Sequence, residues 1–209
     1  MRYFLFTLTF FFLCAVGMQS QTVDLSTSPY AQNFDSLAST GTSSITPSGW
    51  KFLESGSGTD NLYTAGSGSS NTGDTYSFGT GSSTDRALGT LLSGSKNYNI
   101  GARIKNNTGI LLTEITISYT GEMWRLGDNT GRIDSLEFSL STDATSLNTG
   151  TWNKYVKLNF ASPNTAGIVG ARDGNTTNYR TSKSYTITGL NIAVGDVFWI
   201  RWTDFNATG

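Results

Sequence analysis

Large apolar residues in this chain recur at every second position. Tyr98, Ile100, Ala102 and Ile104 share one parity, as do Ile115, Ile117 and Tyr119, Leu136, Phe138 and Leu140, Val156, Leu158 and Phe160, and Tyr185 with Ile187. A period of two belongs to a strand with one face on a core, because successive Cβ atoms leave the backbone on opposite sides. Thr, Ser, Lys and Asn occupy many of the positions between. The runs are separated by GDNTG, RDGN and AVGD, whose Gly, Asn and Asp suit chain reversal. No stretch after residue 20 carries a helical period with caps. The pattern predicts an all-β fold, a two-sheet antiparallel β-sandwich of about ten strands.

The segment from Ser55 to Thr84 tests that reading. It holds 8 Ser, 7 Gly and 6 Thr, 21 of its 30 residues, a composition that alone suits a flexible linker. Yet Tyr63, Tyr76 and Phe78 recur inside it, in LYTAG and TYSFG, between Gly and Asn turns. That spacing predicts strands with small solvent-facing partners.

Ahead of the patterned region, MRYFLFTLTFFFLCAVGMQS places Arg2 before an apolar run from Phe4 to Val16. This is the layout of a secretory signal peptide, and it is too short to span a bilayer. Residues 1–20 are read as that signal, with the mature start between Met18 and Gln21, and 21–209 as one β-sandwich domain, secreted or at the cell surface, with no membrane insertion of the mature chain. Cys14 is the single cysteine and lies within the signal, so the mature domain must be held by its core or by metal. Without Arg2, 13 basic side chains face 15 acidic ones, a net charge of −2 with no long charge run. That balance favours neither nucleic acid nor an anionic membrane as partner.

There is no histidine, which excludes Ser-His-Asp hydrolysis, histidine metal triads and zinc sites built from Cys and His. A carboxylate pair facing one cleft remains open to catalysis. Asp134 and Glu137, three apart on one strand, point to opposite faces. Glu114 and Glu122 share a parity, but Gly121 is expected to interrupt their strand. No catalytic residue is assigned.

Candidate ligand-binding residues cluster in two places. In GEMWRLG, Trp124 could stack on a sugar ring while Glu122 and Arg125 bond its hydroxyls. The alternative is that Trp124 closes the core and the two charges pair with strand ends. In the run from Val197 to Phe205, Phe198, Ile200 and Trp202 face one way, and Val197, Trp199, Arg201 and Thr203 the other. Trp199 is a second stacking candidate beside Arg201, which serves either as a groove ligand or as a structural partner for Asp204, Asp134 or Asp85. Trp50 and Trp152 stand near turns and invite the same two readings. For a metal, Asp128-Asn129-Thr130-Gly131 and Asp173-Gly174-Asn175 offer oxygen ligands, making calcium a possible cofactor, although both are also turn sequences. The sequons at Asn106, Asn175 and Asn206 are expected in exposed loops.

Nearly the whole mature chain resembles a group of secreted bacterial β-sandwich domains, of jelly-roll or concanavalin-like type, met in Bacteroidetes and other Gram-negative bacteria. The likeness is carried by YAQNFDSL (30–37), GSSNTGDTYSFG (68–79), STDRALG (83–89), IGARIKNNTG (100–109), ISYTGEMWRLG (117–127), DSLEFSLSTDATSLNTGTW (134–152) and FWIRWTDFNATG (198–209). The resemblance implies export within a larger protein bearing a C-terminal sorting or anchoring signal. In such domains an acidic loop and one more strand usually follow the segment matching Asp204 to Gly209. The terminal run is therefore expected to need a further strand beyond Gly209, from a missing C-terminal segment of the same protein. The expected role is a non-catalytic module for adhesion or carbohydrate binding, with glycans or a cell-surface polymer as partner. The alternatives are a structural spacer presenting a downstream catalytic domain, such as a nuclease, and a weak glycosidase.

Overall fold

The computed structural model describes residues 21–205 except positions 82, 93 and 95. The expected signal peptide, residues 1–20 with Cys14, and the Asn206 sequon lie outside the described residues. The chain runs through β1 (Val23–Leu25), β2 (Thr42–Ser43), β3 (Trp50–Ser55), β4 (Tyr63–Gly66), β5 (Asp74–Phe78), β6 (Ala87–Leu91), β7 (Asn97–Asn106) and β8 (Leu112–Glu122). It continues through β9 (Arg125–Leu126), β10 (Ser135–Ser141), β11 (Asn153–Lys154), β12 (Phe160–Ala161), β13 (Gly170–Ala171), β14 (Arg180–Ile192) and β15 (Val197–Phe205). Five of these fifteen, β2, β9, β11, β12 and β13, have only two residues, which leaves ten longer strands, as the alternation predicts.

The fold is an all-β sandwich. One layer is a seven-stranded sheet in the order β1–β7–β15–β10–β11, with β3 also on the edge of β7 and β12 on that of β10. The facing layer has two parts, the four-stranded sheet β2–β4–β5–β6 and the β8–β14 ribbon. Ile100, Phe138, Phe198 and Ile200 of the large sheet meet Tyr63 and Leu88 of the small sheet, and Ile187 and Ile192 of the ribbon, in one core. Tyr63, Tyr76 and Phe78 are all buried in strands, so the Ser/Gly-rich segment is sheet rather than linker. Two pairings are parallel, β1 on β7 and β4 on β5. A side-chain period of two is the same in both directions and carries no sign of this.

Three local readings need correction. Val156, Leu158 and Phe160 do not share a strand: Val156–Leu158 is one turn of 3-10 helix, and only Phe160 enters β12. The Leu158 amide donates to the Tyr155 carbonyl at 2.8 Å, which drives Leu158 into the core and leaves Val156 75% exposed. Tyr185 shares the face of Ile117 opposite it but remains exposed. Gly121 does not interrupt β8, which pairs through it with Thr181. A Cβ at Gly121 would lie 2.2 Å from the Phe160 ring, so the glycine serves close packing. With the strand intact, Glu114 and Glu122 lie eight positions apart, about 27 Å at strand rise, and cannot act as a pair.

The terminal run is also not an edge. β15 pairs with β7 on one side and β10 on the other. Its inner row Phe198, Ile200 and Trp202 is buried, and Trp199 on its outer face is covered by Ala144 and Leu147. Unpaired backbone is therefore no reason for β15 to need a further neighbour.

Asn106 is likewise not in an exposed loop. It is the last residue of β7, 0% exposed. Its Nδ2 lies 2.8, 3.0 and 3.1 Å from the carbonyls of Ile110, Ile192 and Ala193, and its Oδ1 accepts from the Thr108 hydroxyl at 2.7 Å. The side chain thus ties the end of β7 to the turn between β14 and β15. Asn106→Ala is expected to strand buried carbonyls and cost about 1–3 kcal/mol, read as a lower urea midpoint at unchanged slope.

Candidate functional site

Where the layers part, a cavity of about 870 Å³ opens between β6, the end of β8 and the start of β10. Its size lies within the range of small-molecule sites. Phe34, Trp50, Tyr119 and Trp202 form an aromatic wall. Phe34 meets Trp50 edge-on at 4.6 Å, Trp50 stacks on Trp202 at 6.1 Å, and Tyr119 meets Trp202 edge-on at 5.1 Å. Phe34 holds φ at 64°, a left-handed conformation that costs a bulky residue about 1–3 kcal/mol. That cost falls on a residue that borders the cavity.

Apolar side chains such as Leu88, Ile100 and Phe160 continue the lining, and its charged groups are four carboxylates, Asp85, Glu122, Asp134 and Asp204, against three guanidinium groups, Arg86, Arg125 and Arg132. Asp204 is buried, and its Oδ2 accepts from the Thr90 hydroxyl at 2.7 Å. Burial pushes its carboxyl up to about 6, with Asp134 adding to the rise and Thr90 opposing it. Burial also raises Glu122, against the pull of its bond from Trp124 and the charge of Arg180. Arg86 donates from Nε to Ser77 Oγ at 2.9 Å and from Nη2 to the Ser77 carbonyl. Desolvation lowers its pKa. The guanidinium fits because Gly79 lies beneath it: a Cβ there would stand 2.3 Å from Nη1. Four acids against three arginines leave the charges of the lining nearly balanced, which suits an uncharged polar ligand rather than an ion.

The structure divides the sequence candidates between two faces. Glu122, Trp124 and Arg125 all border the cavity. Trp124, however, is 4% exposed and stacks on Phe78 at 6.0 Å, while its Nε1 donates to Glu122 at 3.0 Å. No free face remains for a sugar, so its role as a platform gives way to packing. Arg125 donates to the carbonyls of Gly68 and Ser69 at 3.0 and 3.2 Å. Trp199 and Arg201 lie on the outer face of the large sheet, away from the cavity. Trp199 is 3% exposed. Arg201 meets none of the aspartates expected for it: it donates to Ser139 Oγ and the Leu147 carbonyl, with its guanidinium 4.0 Å above the Trp152 ring. The loop aspartates cap their own turns, Asp128 accepting from the Thr130 amide at 2.8 Å and Asp173 from that of Asn175 at 3.1 Å.

Sequence reading missed Asp204, Arg86 and Phe34. For Asp204 the signal was present: it continues the inward parity of Phe198, Ile200 and Trp202, and an acid in an apolar row is out of place unless it does something. Arg86 and Phe34 lie outside any periodic run and gave no such sign. In comparisons with known proteins, no family model, no curated protein and no solved structure matches this chain.

Proposed function

We propose that the protein is an exported, non-catalytic β-sandwich module that binds a neutral carbohydrate in the cavity, serving adhesion to a glycan or cell-surface polymer. The observation that carries this reading is the cavity itself, with its aromatic wall and near-balanced charged lining. Sugars present apolar ring faces to aromatic groups and hydroxyls to carboxylates, amides and guanidinium groups. Export rests on the charge-then-apolar layout of residues 1–20.

The test is a panel of neutral oligosaccharides, with positives titrated by calorimetry. Phe34→Ala is expected to weaken binding about tenfold, the value of one aromatic contact, and to lower stability by about 1–2 kcal/mol. If no neutral glycan binds, or if Phe34→Ala and Arg125→Ala both bind unchanged, the reading fails and the spacer alternative takes its place. A weak glycosidase is a second reading, favoured by one observation: Asp204 and Glu122, both shifted upward, border the same cavity. Release of a chromogenic aglycone that disappears in Asp204→Asn would support it.

A further inference from the structure

At one end of the sandwich the two layers face each other with polar side chains. Glu54, Tyr98 and Asp204 are cross-strand neighbours on β3, β7 and β15, so they share the inner face of the large sheet. Thr75 and Thr90 are neighbours on β5 and β6. The Thr75 amide donates to Glu54 Oε1 at 2.9 Å, and it also lies 2.9 Å from Asp74 Oδ1. One N–H thus holds two carboxylates together. Asp60, near the far end of the connection from β3 to β4, completes the group: oxygens of Glu54, Asp60 and Asp74 all lie within 4.8 Å of one another.

Three carboxylates at this separation repel, and burial sharpens the repulsion. Glu54 is 5% exposed. The groups that act on Asp74 are Thr64, Thr75 and Glu54, with no cation among them. A second, independent feature points to a ligand. The hydroxyls of Tyr98 and Thr75 are buried without a hydrogen-bond partner among the described residues, and both side chains are 0% exposed. Tyr98 stands directly opposite Glu54 on the same face, and Thr75 carries the amide that binds Glu54. Buried hydroxyls left unpaired beside buried carboxylates are costly, and both costs are removed by a cation that needs oxygen.

We propose that Glu54, Asp60 and Asp74 form a calcium site, with the Tyr98 and Thr75 hydroxyls offering neutral oxygen on its buried side. The ligand set is all oxygen, which selects a hard cation. It includes a residue carried by the connection 56–62 between β3 and β4, which holds Gly56, Ser57 and Gly58 and whose adaptability suits calcium better than the rigid octahedron of magnesium. The ion would pin that connection to the start of β5. This is neither of the two loops that the sequence suggests for calcium, and it does not depend on the carbohydrate reading.

The test uses the whole mature protein, first stripped with a chelator. Calcium at saturation is expected to raise the melting temperature by ~5–10 °C, magnesium much less. Terbium, a calcium mimic excited through a nearby tyrosine, is expected to luminesce and to be displaced by calcium. Asp60→Asn alters the exposed ligand and leaves the buried bonds intact, so it should fold normally while binding calcium at least about tenfold more weakly. Glu54→Gln keeps an acceptor for the Thr75 amide and should act likewise; if it does not fold, Asp60→Asn decides. The proposal is overturned if calcium leaves the wild type unchanged, or if Asp60→Asn binds it equally well. A cluster that shares a proton instead would be stabilised by acid and indifferent to calcium, which also overturns it.

Discussion

Trp202→Ala is expected to remove about 3–5 kcal/mol of stability, as truncation of a buried aromatic does. The indole is buried at the centre of the large sheet and touches rings from three other strands: Trp50 of β3 at 6.1 Å, Tyr119 of β8 at 5.1 Å and Phe138 of β10 at 5.1 Å. Its loss uncouples the ribbon from the large sheet at that point. Trp202 also borders the cavity, so the void left behind would join space already open to solvent, and the low end of the range is favoured. Against a net stability of about 5–15 kcal/mol, the loss is large enough to shift the urea midpoint plainly at unchanged slope. Trp202→Phe keeps a ring in contact with Tyr119 and Phe138 and should lose less than half as much. Val156→Ala, at an exposed position, should stay within about 0.5 kcal/mol. A loss under about 1 kcal/mol for Trp202→Ala would mean that the ring does not hold the layers together.

Why Trp202 could be set on one face with Phe198 and Ile200 from sequence, and Asp204 could not be given a role, comes from one physical limit. Periodicity reports which side of a strand a residue leaves from, so Phe198, Ile200 and Trp202 fall on one side and Trp199 and Arg201 on the other, as found. It does not report what covers each side. The cover of Trp199 comes from Ala144 and Leu147, more than fifty residues away in sequence. That is a tertiary choice with no local signature, and it turned an expected binding face into core. The same limit hid the polar group at the end of the large sheet. Trp50, Phe52 and Glu54 share one parity, as do Tyr98 with Ile100, and Trp202 with Asp204. Within each row alternation sorts residues by face and does not show that Glu54, Tyr98 and Asp204 meet. Three rows ending in polar groups at one level of the sheet become visible only when register aligns them. Strand edges depend equally on partners: β15 is as apolar as an unprotected edge would be, and nothing in its own residues says that β7 and β10 flank it.

Asp204 gives the other large effect, and its sign is opposite to that of most acidic residues. Its carboxyl rises from 3.8 to about 6 in the folded protein, because ionisation would leave a charge beneath the sheet beside Asp134. The folded state therefore holds a proton that the unfolded chain releases. Stability from this group is fully present below about pH 4 and is lost as pH rises through about 6. The interval corresponds to about 3 kcal/mol. Asp74 and Glu122 are also raised by burial and act in the same direction, so the wild-type profile alone does not isolate Asp204. The difference between wild type and Asp204→Asn does. Asparagine keeps an acceptor for the Thr90 hydroxyl and carries no charge, so the variant is expected to be the more stable protein at pH 7, and the two should converge near pH 4. Urea titrations at intervals between those values, with chelator present so that calcium does not contribute, measure that gap directly. If the gap stays constant across the range, the Asp204 carboxyl does not titrate there, and its ionised form is accommodated by the polar groups around it.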